Sequence, residues 1–131
     1  CAHGSLMAGI ALHNARLGLV HGLAHPLGIR YDLPHGEICG TLLPWVLDFN
    51  RDAAGDDYQL LCGILGQDIS EYCFALLDQF GLPRDLSRLA MSDADIDQLA
   101  DKTMPSGSTQ SNPRDVTKED VVDLLRKLRR A

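Results

Sequence analysis

The sequence predicts an all-α, multi-helix bundle, and three observations predict it. Leucine and alanine are plentiful, β-branched runs are scarce and aromatics make up 5% of the chain, a composition that favours helices over strands. Helix punctuation recurs: Asp68-Ile-Ser-Glu71, Ser92-Asp-Ala-Asp95 and Thr117-Lys-Glu-Asp120 read as starts, and Gly81-Leu82-Pro83 reads as a stop. Apolar residues also return at helical spacing, most clearly in Val121, Val122, Leu124, Leu125 and Leu128. No internal repeat and no convincing strand interrupts this pattern. At 131 residues the chain is sized for a single domain, residues 1–131, with enough length to bury a core.

In chain order, Leu6 to His25 is apolar almost all round, with Arg16 its only permanent charge, and reads as one buried helix. Gly4, Gly9, Gly18 and Gly22 each cost helix propensity of about 1 kcal/mol relative to Ala, which suits a helix that neighbours must approach closely. Pro26 should end it near His25, because proline cannot continue the helix without losing a backbone hydrogen bond. A short loop then leads to Pro34, placed to open a second helix from His35 to Asn50. Ile38, Leu42, Leu43, Val46 and Leu47 form its apolar face, Pro44 should kink it, and Trp45 packs or sits at an interface. Arg51 to Asp57 reads as a loop, Tyr58 to Leu65 as a short helix, and Asp68 caps another helix running to about Phe80. Ser92 opens a helix to about Lys102. Pro105 to Pro113 is a polar surface loop, and Thr117 caps a final helix over Glu119 to Arg130, whose basic last turn suits the negative end of the helix dipole.

The formal net charge of −6 argues against nucleic-acid and acidic-membrane partners. Residues 1–50 carry two Arg against three acidic residues, so the first third is nearly charge-free and reads as interior or interfacial. Cys1, Cys39, Cys62 and Cys73 have no CxxC spacing and sit in apolar helical patterns. Buried free thiols in a reducing, cytoplasmic compartment are expected, rather than a disulfide framework or zinc ribbon. No apolar run reaches transmembrane length. The chain opens at Cys1-Ala-His3-Gly already inside an apolar pattern, which suggests a piece of something longer.

Three of the five histidines, His21, His25 and His35, lie between Gly18 and Gly36. His21 and His25 are four apart, so on a helix their imidazoles share one face. With His35 opening the next helix, they make the pattern from which a metal site or a catalytic histidine cluster is built. A bare HxxxH is a weak motif, and such pairs also occur as polar residues satisfied by solvent. His3 and His13 fall outside the spacing and read as surface or capping residues.

The fuller string is more specific. Asn14-Ala-Arg-Leu-Gly-Leu-Val-His21-Gly-Leu-Ala-His25-Pro-Leu-Gly, then Leu33-Pro-His35-Gly, Leu42-Leu-Pro44, Phe49-Asn50 and Asn112-Pro-Arg114, resembles the iron-containing (group III) alcohol dehydrogenases. The resemblance implies most of the C-terminal helical domain of that family, with its dehydroquinate synthase-like architecture. In the family a divalent metal, Fe(II) or Zn(II), is held by one Asp and three His and polarises the substrate oxygen while a hydride passes to NAD(P). Carried over by position, His21 and His35 match the last two histidine ligands. His25 matches a histidine near the substrate and nicotinamide that is not itself a ligand and handles protons. Helical spacing alone pairs His21 with His25; the resemblance replaces that choice.

The Asp, the first His ligand and a Gly-rich nucleotide-binding portion are expected upstream and have no counterpart here. The chain alone is therefore expected to be inactive as a dehydrogenase. The implied substrate is a small alcohol or aldehyde, and an uncovered apolar face would favour a homo-oligomer. Two other readings fit the sequence: a non-enzymatic helical binding or assembly module, and a maleylacetate reductase or glycerol dehydrogenase relative.

Overall fold

The structure, a computed structural model, describes residues 1–130 and contains seven helices and no strand among them. They are α1 (Ala2–Ala15), α2 (Leu19–Tyr31), α3 (His35–Leu65), α4 (Ile69–Phe80), α5 (Asp93–Thr103), α6 (Gly107–Gln110) and α7 (Lys118–Arg130). The expected all-α fold is borne out. Helix α2 is the centre of the arrangement, packed against α3, α5 and α6, while α4 lies on α3 and α7 on α5. Leu19, Leu23 and Leu27 of α2 meet Ile38, Leu42 and Val46 of α3, Ile96 and Leu99 of α5, and the Val121, Leu124, Leu125 and Leu128 stripe of α7 in one buried core. No single helix is long and apolar enough to cross a membrane among the described residues.

The single buried helix expected over Leu6 to His25 is two helices. The chain breaks at Arg16, whose φ of 64° is left-handed, and Gly18 caps the start of α2. Polar groups from the far end of the chain hold the break open: Asn112 Oδ1 accepts from Leu19 N at 3.1 Å, and Ser111 Oγ donates to Leu17 O at 2.6 Å. Helix α1 has no buried residue, contrary to the buried helix expected there.

Helix α2 also runs on through Pro26 to Tyr31 rather than ending at His25. An interior proline costs about 3 kcal/mol, and the burial of Pro26 among Leu23, Ala24 and Leu27 offsets it. Pro44 likewise stays inside α3, where the only non-helical dihedrals fall at Gly55 (φ 40°). Gly22 and Gly40 stand four residues before the two prolines.

The loop expected at Arg51 to Asp57 is helical up to a break at Gly55. Arg51 helps hold that stretch, pairing with Asp48 at 2.9 Å and with Asp68 at 2.8 Å. Asp68 caps α4 as expected, accepting from the backbone N–H groups of Ser70 and Glu71. It also accepts from the Ser70 hydroxyl at 2.6 Å and the Tyr58 hydroxyl at 3.0 Å, and the Ser70 hydroxyl chiefly holds its carboxyl down to about 2. The capping box of Ser92 with Asp95 and the left-handed Gly81 stop are both present. After α4 the chain turns back onto α3, with the Thr41 hydroxyl bonded to Pro83 O and the Trp45 indole N–H to Arg84 O.

The polar stretch 105–113 is not a plain loop. Ser106 caps the short α6, and Thr109 is buried against Gly22 of α2. A Cβ at Gly22 would stand 2.1 Å from Thr109 Oγ1, so the two helices meet at a distance only glycine allows. Among the cysteines, Cys1 is exposed and the other three are half-buried, all four as free thiols; the fully buried state expected of them is not seen.

Candidate metal centre

His21 is the third residue of α2 and His35 the first of α3, with Pro34 just before it as the cap. The turn of Asp32, Leu33 and Pro34 folds α3 back over α2. Ile38 then packs at Gly28 and Cys39 reaches His21. The two imidazole rings stand 5.3 Å apart, centroid to centroid, with planes inclined by 54°. His21 is therefore early in its helix, not late as the expected boundary implied, and the crossing of α2 and α3 is what brings it to His35.

His35 and Cys39 are one turn apart on α3, and Cys39 Sγ lies 3.4 Å from His35 Nε2 and 3.9 Å from His21 Nε2. The donor atoms of all three residues lie within 4.8 Å of one another. Burial lowers the His21 pKa, and the neighbouring His35 lowers it further, which favours the neutral imidazole that binds metals. Burial pushes the Cys39 thiol up. Two imidazoles and a thiol converging on one point are a donor set suited to a divalent transition metal.

The sequence-predicted residues divide here. His21 and His35 come together. His25 is exposed, one turn further along α2, and is not part of the cluster. His3 and His13 are on the exposed α1, as expected. Cys39 was read only as a buried thiol. Its spacing from His35, His-x3-Cys, is the same helical interval that drew attention to His21 and His25.

Behind the cluster lies an apolar cleft of about 360 Å³, lined by Leu19, Val20, Leu43 and Leu47 with His21 and Cys39 on its wall. Asn50 and Asn112 line it too, joined by two side-chain hydrogen bonds of 2.7 and 3.0 Å. Asn112 Nδ2 also donates to Arg114 O, and Arg114 lies 3.9 Å over the Phe49 ring while donating to Phe49 O. These residues tie the start of α2 to α3, and so hold His21 in register with His35 and Cys39. The sequence singled out Phe49-Asn50 and Asn112-Pro-Arg114 without giving them this role.

The sequence pattern of the Fe-containing alcohol dehydrogenase family, C-terminal, matches residues 1–129. The chain is 36% identical over 135 residues to lactaldehyde reductase of Escherichia coli K12, covering 94% of this chain and 35% of that protein. It is 32% identical to 1,3-propanediol dehydrogenase of Klebsiella pneumoniae, covering 95% of this chain and 35% of that one. A crystal structure of 1,3-propanediol oxidoreductase superposes with a TM-score of 0.85 at 32% identity, covering 97% of this chain and 36% of that structure. The chain thus spans about a third of the length of the relatives it matches. In sequence pattern and in fold alike, this chain belongs to the iron-containing alcohol dehydrogenase family, of which it represents the C-terminal helical part.

Proposed function

We propose that this chain is the C-terminal part of a metal-dependent, NAD(P)-linked oxidoreductase that interconverts a small alcohol and its aldehyde. The observation that carries this reading is the convergence of His21 and His35 from two helices onto one point, beside an apolar cleft. When bound, Fe(II) or Zn(II) would supply Lewis acidity toward the substrate oxygen and NAD(P) would supply the hydride acceptor. His21 and His35 hold the metal. The cleft wall of Leu19, Val20, Leu43 and Leu47 offers no charged group, which favours a short, uncharged carbon chain. To His25, exposed one turn along α2, we assign proton transfer between the site and solvent, as the family resemblance implies. The relatives named lactaldehyde reductase and 1,3-propanediol dehydrogenase support a small oxygenated substrate. A homo-oligomer and a cytoplasmic location belong to the same proposal.

The test is calorimetric titration of Zn(II) and Fe(II) into the chain and into His21→Ala, His35→Ala and His25→Ala. The expected result is close to one metal per chain, lost in the first two variants and kept in the third. No binding at micromolar metal, or binding indifferent to His21 and His35, would overturn the assignment.

A further inference from the structure

We propose that Arg16 binds a carboxylate, and that the substrate is a short alcohol or aldehyde carrying one at its far end. The assignment rests on the oxidoreductase function proposed above and names its substrate class.

Three observations carry it. The first is backbone geometry. Arg16 has φ 64° and ψ −169°, a combination essentially confined to glycine, and its N–H closes α1 by donating to Leu12 O at 2.9 Å. Glycine would make this turn without strain, so the turn does not explain the arginine. The second is charge. Seven of the nine arginines are ion-paired within the described residues, and Arg16 is not among them. Its surroundings in the sequence hold no counter-ion. Residues 1–29 contain no acidic residue and no other Lys or Arg, and residues 103–114, which supply the facing wall, contain no acidic residue either. The third is the recess that Arg16 lines, about 450 Å³ in volume, with Leu12, His13, Leu17, Ser106 and Ser108 around it. Its polar side chains are a guanidinium, an imidazole and two hydroxyls, all able to donate a hydrogen bond.

A guanidinium pairs with a carboxylate through two parallel hydrogen bonds. As the one permanent cation on these walls, Arg16 balances one negative charge, which suits a carboxylate better than a phosphate dianion. Leu17 lines this recess, and the next residue, Gly18, lines the apolar cleft beside His21. Consecutive Cα atoms are about 3.8 Å apart, the scale of a short carbon chain. One molecule can therefore offer its carbons to the cleft and its carboxylate to Arg16.

The test is NMR titration of the isotopically labelled chain with γ-hydroxybutyrate and with butanediol, a neutral molecule with the same number of carbons. γ-Hydroxybutyrate is expected to shift the Arg16 Nε–H and the Ser106 and Ser108 amides saturably, and butanediol to leave them unmoved. Arg16→Gln should bind γ-hydroxybutyrate about tenfold or more weakly, the scale of a lost hydrogen bond to a charged group. Arg16→Gly should lose binding too while raising the denaturant midpoint, because glycine relieves the turn; that separates lost binding from lost folding. Inorganic phosphate should bind more weakly than γ-hydroxybutyrate, and the reverse order overturns the carboxylate assignment. No saturable shift, an equal response to butanediol, or unchanged affinity in Arg16→Gln overturns the proposal. A chain that binds metal through His21 and His35 yet shows no such response keeps the oxidoreductase reading and loses this one.

Discussion

Helices α1 and α7 are nearly equal in length, 14 and 13 residues, yet they end in opposite environments. In α7 the apolar residues fall on one stripe, and Val121, Leu125 and Leu128 are 0% exposed. In α1 they are spread all round, and Leu6, Met7 and Ile10 are 63%, 70% and 58% exposed. The difference teaches that an amphipathic stripe specifies its own burial, because only one orientation satisfies both faces. A helix apolar on every side specifies only that some surface must cover it. Helix α7 has α5 and the Leu86–Met91 segment to cover its stripe, with Leu86 N bonded to Leu128 O at 2.9 Å. No residue of α1 is covered to that extent among the described residues.

The sharpest way to break this comparison is to cut into the α7 stripe. Leu125→Ala removes a fully buried side chain from the centre of the core and should destabilise the fold by about 2–5 kcal/mol, read from the denaturant midpoint. A loss below about 1 kcal/mol would mean that the stripe is not packed as described.

The next effect comes from the contact between α2 and α6. Gly22→Ala places a methyl group on Thr109 Oγ1, a short and buried side chain whose hydroxyl is already held by Thr103 O at 2.8 Å. Overpacking of this kind costs about 1–3 kcal/mol. Thr109→Ala should give part of that back in the double variant, and a cycle of the two measures the coupling. If Gly22→Ala is neutral and uncoupled to Thr109, the close approach is not a constraint on α2.

How much of this was legible in the sequence follows the range of the interactions. The starts at Asp68, Ser92 and Thr117 depend on side chains bonding backbone two or three residues away, the stop at Gly81 on a left-handed backbone only glycine adopts freely, and all were readable. The division between α1 and α2 depends on Ser111 and Asn112, more than ninety residues downstream, and no local pattern announces it. Pro26 and Pro44 read as breakers because propensity counts the lost hydrogen bond and not the burial that offsets it. At the site, the pairing of His21 with His35 was found through the family resemblance, whereas helical spacing alone paired His21 with His25. Cys39 was within reach, since His-x3-Cys on one helix is as visible as His-x3-His. What could not be read was that α3 folds back to set Cys39 beside His21, because that contact is made by the turn at Asp32–Pro34 and by packing at Gly28.

The smallest expected effect bears most directly on α1. Ile10 is 58% exposed, so Ile10→Ser removes little buried surface from this fold and should change its stability by no more than about 0.5 kcal/mol. The contrast with Leu125→Ala then follows from burial, since both replace a branched aliphatic side chain on a helix of similar length. A loss for Ile10→Ser comparable with that for Leu125→Ala would show that α1 is covered in solution. Sedimentation then separates the sources of the cover. If the parent self-associates and Ile10→Ser does not, a second copy supplies it, because exposed Leu6, Met7 and Ile10 form the kind of apolar patch that copies bury against one another. If the parent stays monomeric at every concentration while Ile10→Ser still destabilises it, α1 packs against its own chain, and the contrast between the two helices fails.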